Sequence, residues 1–284
     1  MTTFEDPPPD PIIEHMRGGD MRVRSLLITI YEDLILPRGG EVGIMALQRL
    51  FELLGLEAGA VRTAVSRLVA DGWLIRRRDG RASFYRLGDT QIQTYADDAR
   101  RVYAAVGRAT GNTWMLVHHH DADLLGTAAR LKGAGFLSPS RDVFIWPLSR
   151  PIPENVIPAD AIVSRGVLLL SAQHRAALCP RGTRAAYLAL LKDITQVEHK
   201  LEDVTLDTSQ AMALRLLLIH RWQAILLSHP ELSTEIEPDD WPCENVRARV
   251  AGLYQRVQQQ SEEWLRSHAP ETTGTAWADL PTRF

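Results

Sequence analysis

Residues 57–88, EAGAVRTAVSRLVADGWLIRRRDGRASFYRLG, limit the folds open to this chain more than any other stretch. Val61, Val65, Leu68 and Val69 recur at i, i+4, i+7 and i+8, the period of a helix with one apolar stripe. Arg62, Thr63, Ser66 and Arg67 then project from the other side. Arginine reaches guanine O6 and N7 with two donors, and short hydroxyls reach phosphates or base edges, so that side suits a major groove. After Gly72 the runs 73–78 and 81–87 read as two strands. Asp79-Gly80 between them is the pair that a two-residue type I′ turn takes. That loop sets Ile75 across from Phe84 and leaves Arg76, Arg77, Arg78, Arg81 and Arg86 at the tip and flanks, opposed there by Asp79. A helix for a groove followed by an arginine-loaded hairpin for the phosphate backbone is the layout of a winged helix. The expected DNA contacts are Arg62, Thr63, Ser66 and Arg67 on the helix and Arg76, Arg77, Arg78 and Arg81 on the hairpin.

Charge supports a directional reader of nucleic acid. The whole chain of 284 residues carries a formal charge of -3, which by itself disfavours such a partner. Residues 21–88, however, hold eleven arginines against seven acids, a local +4, so the remainder is -7. A basic module on an acidic body presents one face to a polyanion. Cys179 and Cys243 match no metal spacing and form no disulfide framework, and the acidic, proline-rich first residues are no signal peptide, so a reducing cytoplasm is expected. The apolar run 211–227 is interrupted by Arg215, His220 and Arg221, whereas a membrane helix needs about 20 mostly apolar residues; it reads as a buried core helix.

In chain order, residues 1–20 read as a disordered tail because Pro7-Pro8-Pro9 and Gly18-Gly19 cannot pack. Apolar spacing predicts a helix over 22–36, ended by Pro37 and Gly39-Gly40, and a second over 44–54, ended by Gly55. Together with 57–88 these form a winged helix-turn-helix domain over 21–88. Residues 89–172 read as a linker helix (90–107) and then an α+β domain of ferredoxin-like type: strand-like runs 114–119, 143–146 and 162–170, with a helical run 123–133 after the first. Residues 173–268 read as all-helical, with helices 184–202, 208–227 and 244–268, and 269–284 as a tail in which Trp277 and Phe284 are available for docking. The expected fold class is thus α+β multidomain: an N-terminal winged helix-turn-helix, a central ferredoxin-like domain and a C-terminal all-helical domain.

His118-His119-His120, with Asp121 and Asp123, is the one metal-like cluster. On a strand His118 and His120 share a face, but no third separated ligand follows, so no metal is expected. A magnesium-dependent nuclease working through Asp121 or Asp123 is one alternative to a DNA-binding regulator, and a winged-helix protein-interaction module is another. His220 beside Trp222 reads as a core histidine, since no nucleophile elbow accompanies it; no catalytic residue and no cofactor are expected.

Several strings resemble the PaaX family of phenylacetate-operon repressors. They are Ala60-Val61-Arg62-Thr63-Ala64-Val65-Ser66-Arg67-Leu68, Gly72-Trp73-Leu74, Arg76-Arg77-Arg78 and Tyr85-Arg86-Leu87, then Leu218-Ile219-His220-Arg221-Trp222, Asp240-Trp241-Pro242 and Leu253-Tyr254. The resemblance spans roughly residues 22–265. It implies a bacterial, cytoplasmic repressor that binds duplex operator DNA as a homodimer and is released by an aryl-CoA thioester such as phenylacetyl-CoA. Family members often start the reading helix with Ser or Thr, where this chain has Glu57, with Gly59 in the first turn. A CoA ester needs cations for its phosphates; Arg165, Arg175, Arg181, Arg184, Lys192 and Lys200 are available, with no subset singled out.

Overall fold

The computed structural model describes residues 10–18, 21–105, 113–120, 124–148, 152–179, 181–229, 232, 236–268 and 283–284. It is α+β, with two small antiparallel sheets among many helices. The chain divides into two compact units: Met1–Ala105, Ala189–Ala224 and Asn245–Phe284 form the first, Val106–Leu188 and Ile225–Glu244 the second.

The first unit begins where sequence reading expected a disordered tail. Residues 1–9 and 19–20 lie outside the described residues, but Pro11–Arg17 is a helix, α1. Asp10 caps it, accepting from the Ile12 N–H at 2.7 Å, and Pro11 supplies the preset φ of a first helical position. Ile12, Ile13 and Met16 fall on one side and are buried, which offsets the cost of ordering so short a helix.

α2 (Val23–Ile30) continues into a π-helical turn, Tyr31–Ile35, and a 3₁₀ turn, Leu36–Arg38, where one regular helix was expected. Pro37 has no N–H to give Asp33 O, so the ladder widens: the Leu36 N–H bonds Tyr31 O and the Gly40 N–H bonds Ile35 O at 2.9 Å. Gly39 closes the segment at φ 97°. Then come β1 (Glu41–Gly43), α3 (Ile44–Glu52), α4 (Ala58–Ala70), β2 (Leu74–Asp79), β3 (Ala82–Leu87) and α5 (Asp89–Val102). The sheet order is β1-β3-β2, antiparallel throughout. Leu26, Ile30, Leu34, Leu47, Phe51, Val61 and Val65 form its core with the three helices.

The long helices α8 (Arg181–Asp203), α9 (Thr208–Leu226) and α10 (Cys243–His268) fall where helical patterns were expected. α9 buries Met212, Leu214, Leu216, Leu217, Leu218 and Ile219, that is, residues all round its axis, as a helix enclosed by protein does. Among the described residues no helix is long and apolar enough to cross a membrane. One charged group in α9, Arg215, is fully buried, and acids hold it: Nε donates to Asp33 Oδ2 at 2.7 Å and Nη1 to Glu262 Oε1 at 2.7 Å. Tyr103 and Tyr254 hydroxyls donate to Asp33 Oδ1 at 2.7 and 2.9 Å. Arg283 donates to the Glu32 and Asp33 carbonyls at 2.7 and 3.0 Å, filling positions that Pro37 and the π turn leave open, while Phe284 stacks edge-on to Tyr103 and Tyr254. Trp277 lies outside the described residues.

The second unit holds β4 (Trp114–His118), α6 (Leu124–Gly133), β5 (Val143–Pro147), β6 (Ile162–Gly166) and α7 (Ala172–Leu178). Its strand order is β5-β4-β6, antiparallel, and Leu137 adds a bridge to Ile145 outside β5. Strand alternation sends Met115, Val117, Phe144 and Trp146 to one core with Leu131 and Phe136, and Trp114 and Ile145 to another with Leu178 and Ile236. The third strand, expected over 162–170, stops at Gly166, and Val167 and Leu169 beyond it are exposed.

Candidate nucleic-acid interface

α4 starts without a side-chain cap: Glu57 has extended φ/ψ and its carbonyl accepts from the Val61 N–H at 3.2 Å, but its side chain accepts no backbone hydrogen bond. Its buried stripe is Val61, Val65 and Leu68. The opposite stripe, Gly59, Arg62, Thr63, Ser66, Arg67 and Ala70, is exposed throughout. Thr63 turns its hydroxyl back to Gly59 O at 3.0 Å. The helix ends in a Schellman motif: Gly72 adopts φ +71°, the Trp73 N–H reaches Leu68 O at 2.8 Å and the Gly72 N–H reaches Val69 O at 3.1 Å. Trp73 is then anchored against Tyr95, with ring centroids 5.4 Å apart, under the Arg24 guanidinium.

The hairpin register differs from the expected one. Asp79 pairs with Ala82, so the two loop residues are Gly80 and Arg81 rather than Asp79 and Gly80. Gly80 has φ +57° and Arg81 does not have positive φ, the signature of a type II′ turn, which takes glycine first. Arg77, not Ile75, therefore faces Phe84, and Ile75 faces Arg86. The reason is local: Gly80 pays no penalty for positive φ, so a loop beginning at glycine avoids placing Asp79 there. Strand parity then divides the arginines. Arg76 and Arg78 share a face with Ser83 and Tyr85, while Arg77 shares the other with Phe84 and Arg86.

The first face meets α4. Arg62, Ser66 and Val69 from the helix, Ile44, and Arg76, Ser83 and Tyr85 from the hairpin line one open cleft. Arg76 is aimed by Ser83, whose Oγ accepts from Nε at 3.1 Å and Nη2 at 2.6 Å. With its amide oxygen turned toward Arg62, buried Gln48 accepts from Arg62 Nε at 2.7 Å. Arg67, Arg78 and Arg81 make no ion pair or side-chain hydrogen bond among the described residues. Arg77 is held differently, Nε and Nη2 donating to the two Glu41 oxygens at 2.9 and 2.7 Å. The helix and hairpin thus present cations and hydroxyls toward one cleft, which fits a polyanion whose base edges are reached by a helix. Sequence reading did not nominate Glu41, Gln48, Ser83 or Tyr85. Glu41 and Gln48 precede the helix-hairpin stretch and join it only through pairing.

His118, His119, His220, Arg175 and Arg184 have ordinary partners. His118 Nε2 lies 3.3 Å from Asp142 Oδ2, a carboxylate also held by Ser140 and lying below the usual range. Buried His119 approaches Asp160, His120 is exposed, and Asp121 and Asp123 lie outside the described residues. No group of three metal-ligating side chains occurs among the described residues. His220 Nδ1 is 3.0 Å from Thr29 Oγ1, and burial pushes its pKa down to about 4, the behaviour of a neutral core histidine. Arg175 and Arg184 pair with Asp239 and Asp240.

Comparison with known proteins converges on one family. The profile of PaaX-like proteins matches residues 22–91 and that of the PaaX-like protein C-terminal domain matches 181–267. The transcriptional repressor PaaX of Escherichia coli K12 is 29% identical over 268 residues, covering 87% of this chain and 84% of the relative. An uncharacterized protein of Mycobacterium tuberculosis shares the fold, with a TM-score of 0.52 at 18% identity over 86% of this chain and 99% of that one. This chain therefore belongs to the PaaX-like family.

Proposed function

We propose that this protein is a DNA-binding transcriptional regulator, acting as a dimeric repressor of an aromatic, phenylacetate-type catabolic operon in the bacterial cytoplasm and released by an aryl-CoA thioester. The observation that carries it is the exposed stripe of Arg62, Thr63, Ser66 and Arg67 on α4 beside a cleft it shares with Arg76. The similarity to a protein named as a transcriptional repressor, a regulator rather than an enzyme, points the same way. The α4 stripe reads base edges, and Arg76, Arg78 and Arg81 contact phosphates. The order α2, β1, α3, α4, β2, β3, with β1 closing the sheet beside β3, supports a winged helix-turn-helix over residues 21–88. In the second unit the Leu137 bridge, β5, β4 and β6 lie side by side in that order, the ferredoxin-like arrangement of second, third, first and fourth strands. Residues 152–161, where that fold has its second helix, carry turns.

The decisive test is binding of duplex from the protein's own promoter region. Arg62→Ala with Arg67→Ala should cost roughly 1–3 kcal/mol per lost base contact and relax sequence preference. An undiminished operator affinity would sink the assignment of α4. Phenylacetyl-CoA, but not free CoA, should raise the thermal midpoint and release the DNA. Half-sites about 34–36 Å apart, or a multiple, are expected for a two-fold reader.

A further inference from the structure

Given the DNA-binding role proposed for α4 and the hairpin, we infer that Glu41 is a specificity-determining positioning residue: by engaging Arg77 it withholds one wing cation from the phosphate backbone. Glu41 stands opposite Arg86 in the β1–β3 pair, and Arg77 stands opposite Phe84 in the β2–β3 pair. Parity therefore sets Glu41, Arg77, Phe84 and Arg86 on one face, away from the face that carries Arg76 and Arg78. Three side chains hold the Arg77 guanidinium. Nε and Nη2 give Glu41 a two-point bond at 2.9 and 2.7 Å, Nη1 is 3.5 Å from Asp79 Oδ2, and Cζ lies over the Phe84 ring, 4.9 Å from its centre. Two-point geometry is what distinguishes a held arginine from one that merely passes near an acid. Arg86, the other cation on this face, is taken by Asp89 at 2.7 Å.

The other wing arginines are not neutralised in this way. Arg78 and Arg81 have no ion-pair partner among the described residues, and Arg76 is oriented by Ser83, a neutral hydroxyl that leaves its charge intact. Each cation placed on a phosphate releases counterions whatever the sequence beneath it, so it adds equally to operator and non-operator affinity. A surplus wing cation would strengthen binding without improving discrimination, and a regulator must find its site among a great excess of competing DNA. Glu41 holds that surplus in reserve, leaving a larger share of the affinity to the α4 stripe.

The test is fluorescence anisotropy of the full-length protein with a mixed-sequence duplex over a series of KCl concentrations. Glu41→Gln keeps the shape of the pair and changes its net charge from zero to +1. It should tighten mixed-sequence binding several-fold and steepen the slope of log K against log salt by about 0.9. Adding Arg77→Ala to Glu41→Gln returns the pair to zero charge and should restore the wild-type slope. The assignment is overturned if Glu41→Gln leaves the slope unchanged, which would mean Arg77 is not released. It is also overturned if the double variant falls about 0.9 below wild type, which would place Arg77 on a phosphate already. A double variant as steep as Glu41→Gln alone overturns it too, because Glu41 would then act without Arg77. Neither side chain belongs to the packed core, so both variants keep the fold, and thermal unfolding verifies this. Absence of salt-dependent binding in the wild type defeats the DNA-binding role itself, whereas wild-type binding with an unaltered Glu41→Gln slope defeats the role of Glu41 alone.

Discussion

Glu32 and Asp33 sit side by side in the π turn, both buried, yet their pKa values move in opposite directions. Asp33 is held below the usual carboxylate range despite its desolvation, because Arg215 and two tyrosine hydroxyls stabilise its charge. Glu32 has no such partner: it meets the Gln223 amide, and burial followed by the neighbouring Asp98 pushes it up to about 8. The Thr29 hydroxyl gives its proton to Gln223 Oε1 at 2.7 Å, so the 3.0 Å contact with His220 makes Nδ1 the donor, consistent with a neutral ring. The sign of the linkage follows. Between the ordinary value of 4.5 and about 8 the folded chain keeps a proton on Glu32 that the unfolded chain has lost. That stability is complete below the ordinary value and is lost as pH rises through 8, at no more than about 1.4 kcal/mol per pH unit. His220, pushed down to about 4, works at the other end: its stability is lost as pH falls below 6.5. Glu32→Gln should therefore flatten the alkaline decline of the thermal midpoint between pH 6 and 9 and leave the acid limb intact. Midpoint curves that stay parallel for variant and wild type would show that Glu32 is not protonated in the fold.

The helix α4 and the hairpin depend on one another through their junction. Only a residue at C′ that tolerates left-handed backbone lets α4 stop at Ala70 and send Trp73 straight into its slot against Tyr95. At Gly72 a Cβ would meet nothing within 4 Å, so the cost of substitution is conformational alone. Gly72→Ala should lower the unfolding free energy by about 1–2 kcal/mol, read from the shift of a urea midpoint. An unshifted midpoint would mean that the helix end relaxes without cost. The hairpin turn carries a similar lesson. Asp-Gly is the commonest signal for a type I′ loop, but the same glycine also serves as the first residue of a type II′ loop, and that choice moves each cross-strand partner by two positions. Side chains keep their faces under a two-residue shift, which is why the division of arginines between faces survives it, while the partner of Arg77 changes.

For the molecule as a whole, the winged-helix segment does not close its own core. Asp33 is bound by Arg215 of α9, and Arg38, just after the π turn, donates to Glu262 of α10 at 2.5 Å. Trp222 of α9 donates to Val102 O at 3.0 Å, and Arg247 of α10 reaches the carbonyls that end α5. Removing one partner of a buried pair typically costs 3–5 kcal/mol, because the other charge is left uncompensated, and total stabilities are only about 5–15 kcal/mol. A fragment of residues 21–105 should therefore show no cooperative thermal transition by circular dichroism. A transition at the full-length midpoint would mean that the helices from 189 onward are dispensable for folding the DNA-reading part.

The helical spans 44–52, 58–70, 181–203, 208–226 and 243–268, the strands around 114, 143 and 162, and the exposed polar stripe of α4 were legible in the chain, because each follows from apolar period and local punctuation. Family strings were legible because each is contiguous in sequence. α1 was also within reach, since Asp10-Pro11 is a cap and Ile12, Ile13 and Met16 keep helical spacing, but the flanking prolines and glycines outweighed seven residues. What composition and period cannot supply is which residues from distant segments share a buried space. Glu41 facing Arg77, Gln48 facing Arg62, and Asp33 meeting Arg215 and Tyr254 are pairings across 36, 14, 182 and 221 positions of sequence. Local sequence determined the elements and the chemistry of their exposed faces. Only tertiary structure decided which of those charges are neutralised, because that depends on distance in space and on the loss of water around each pair.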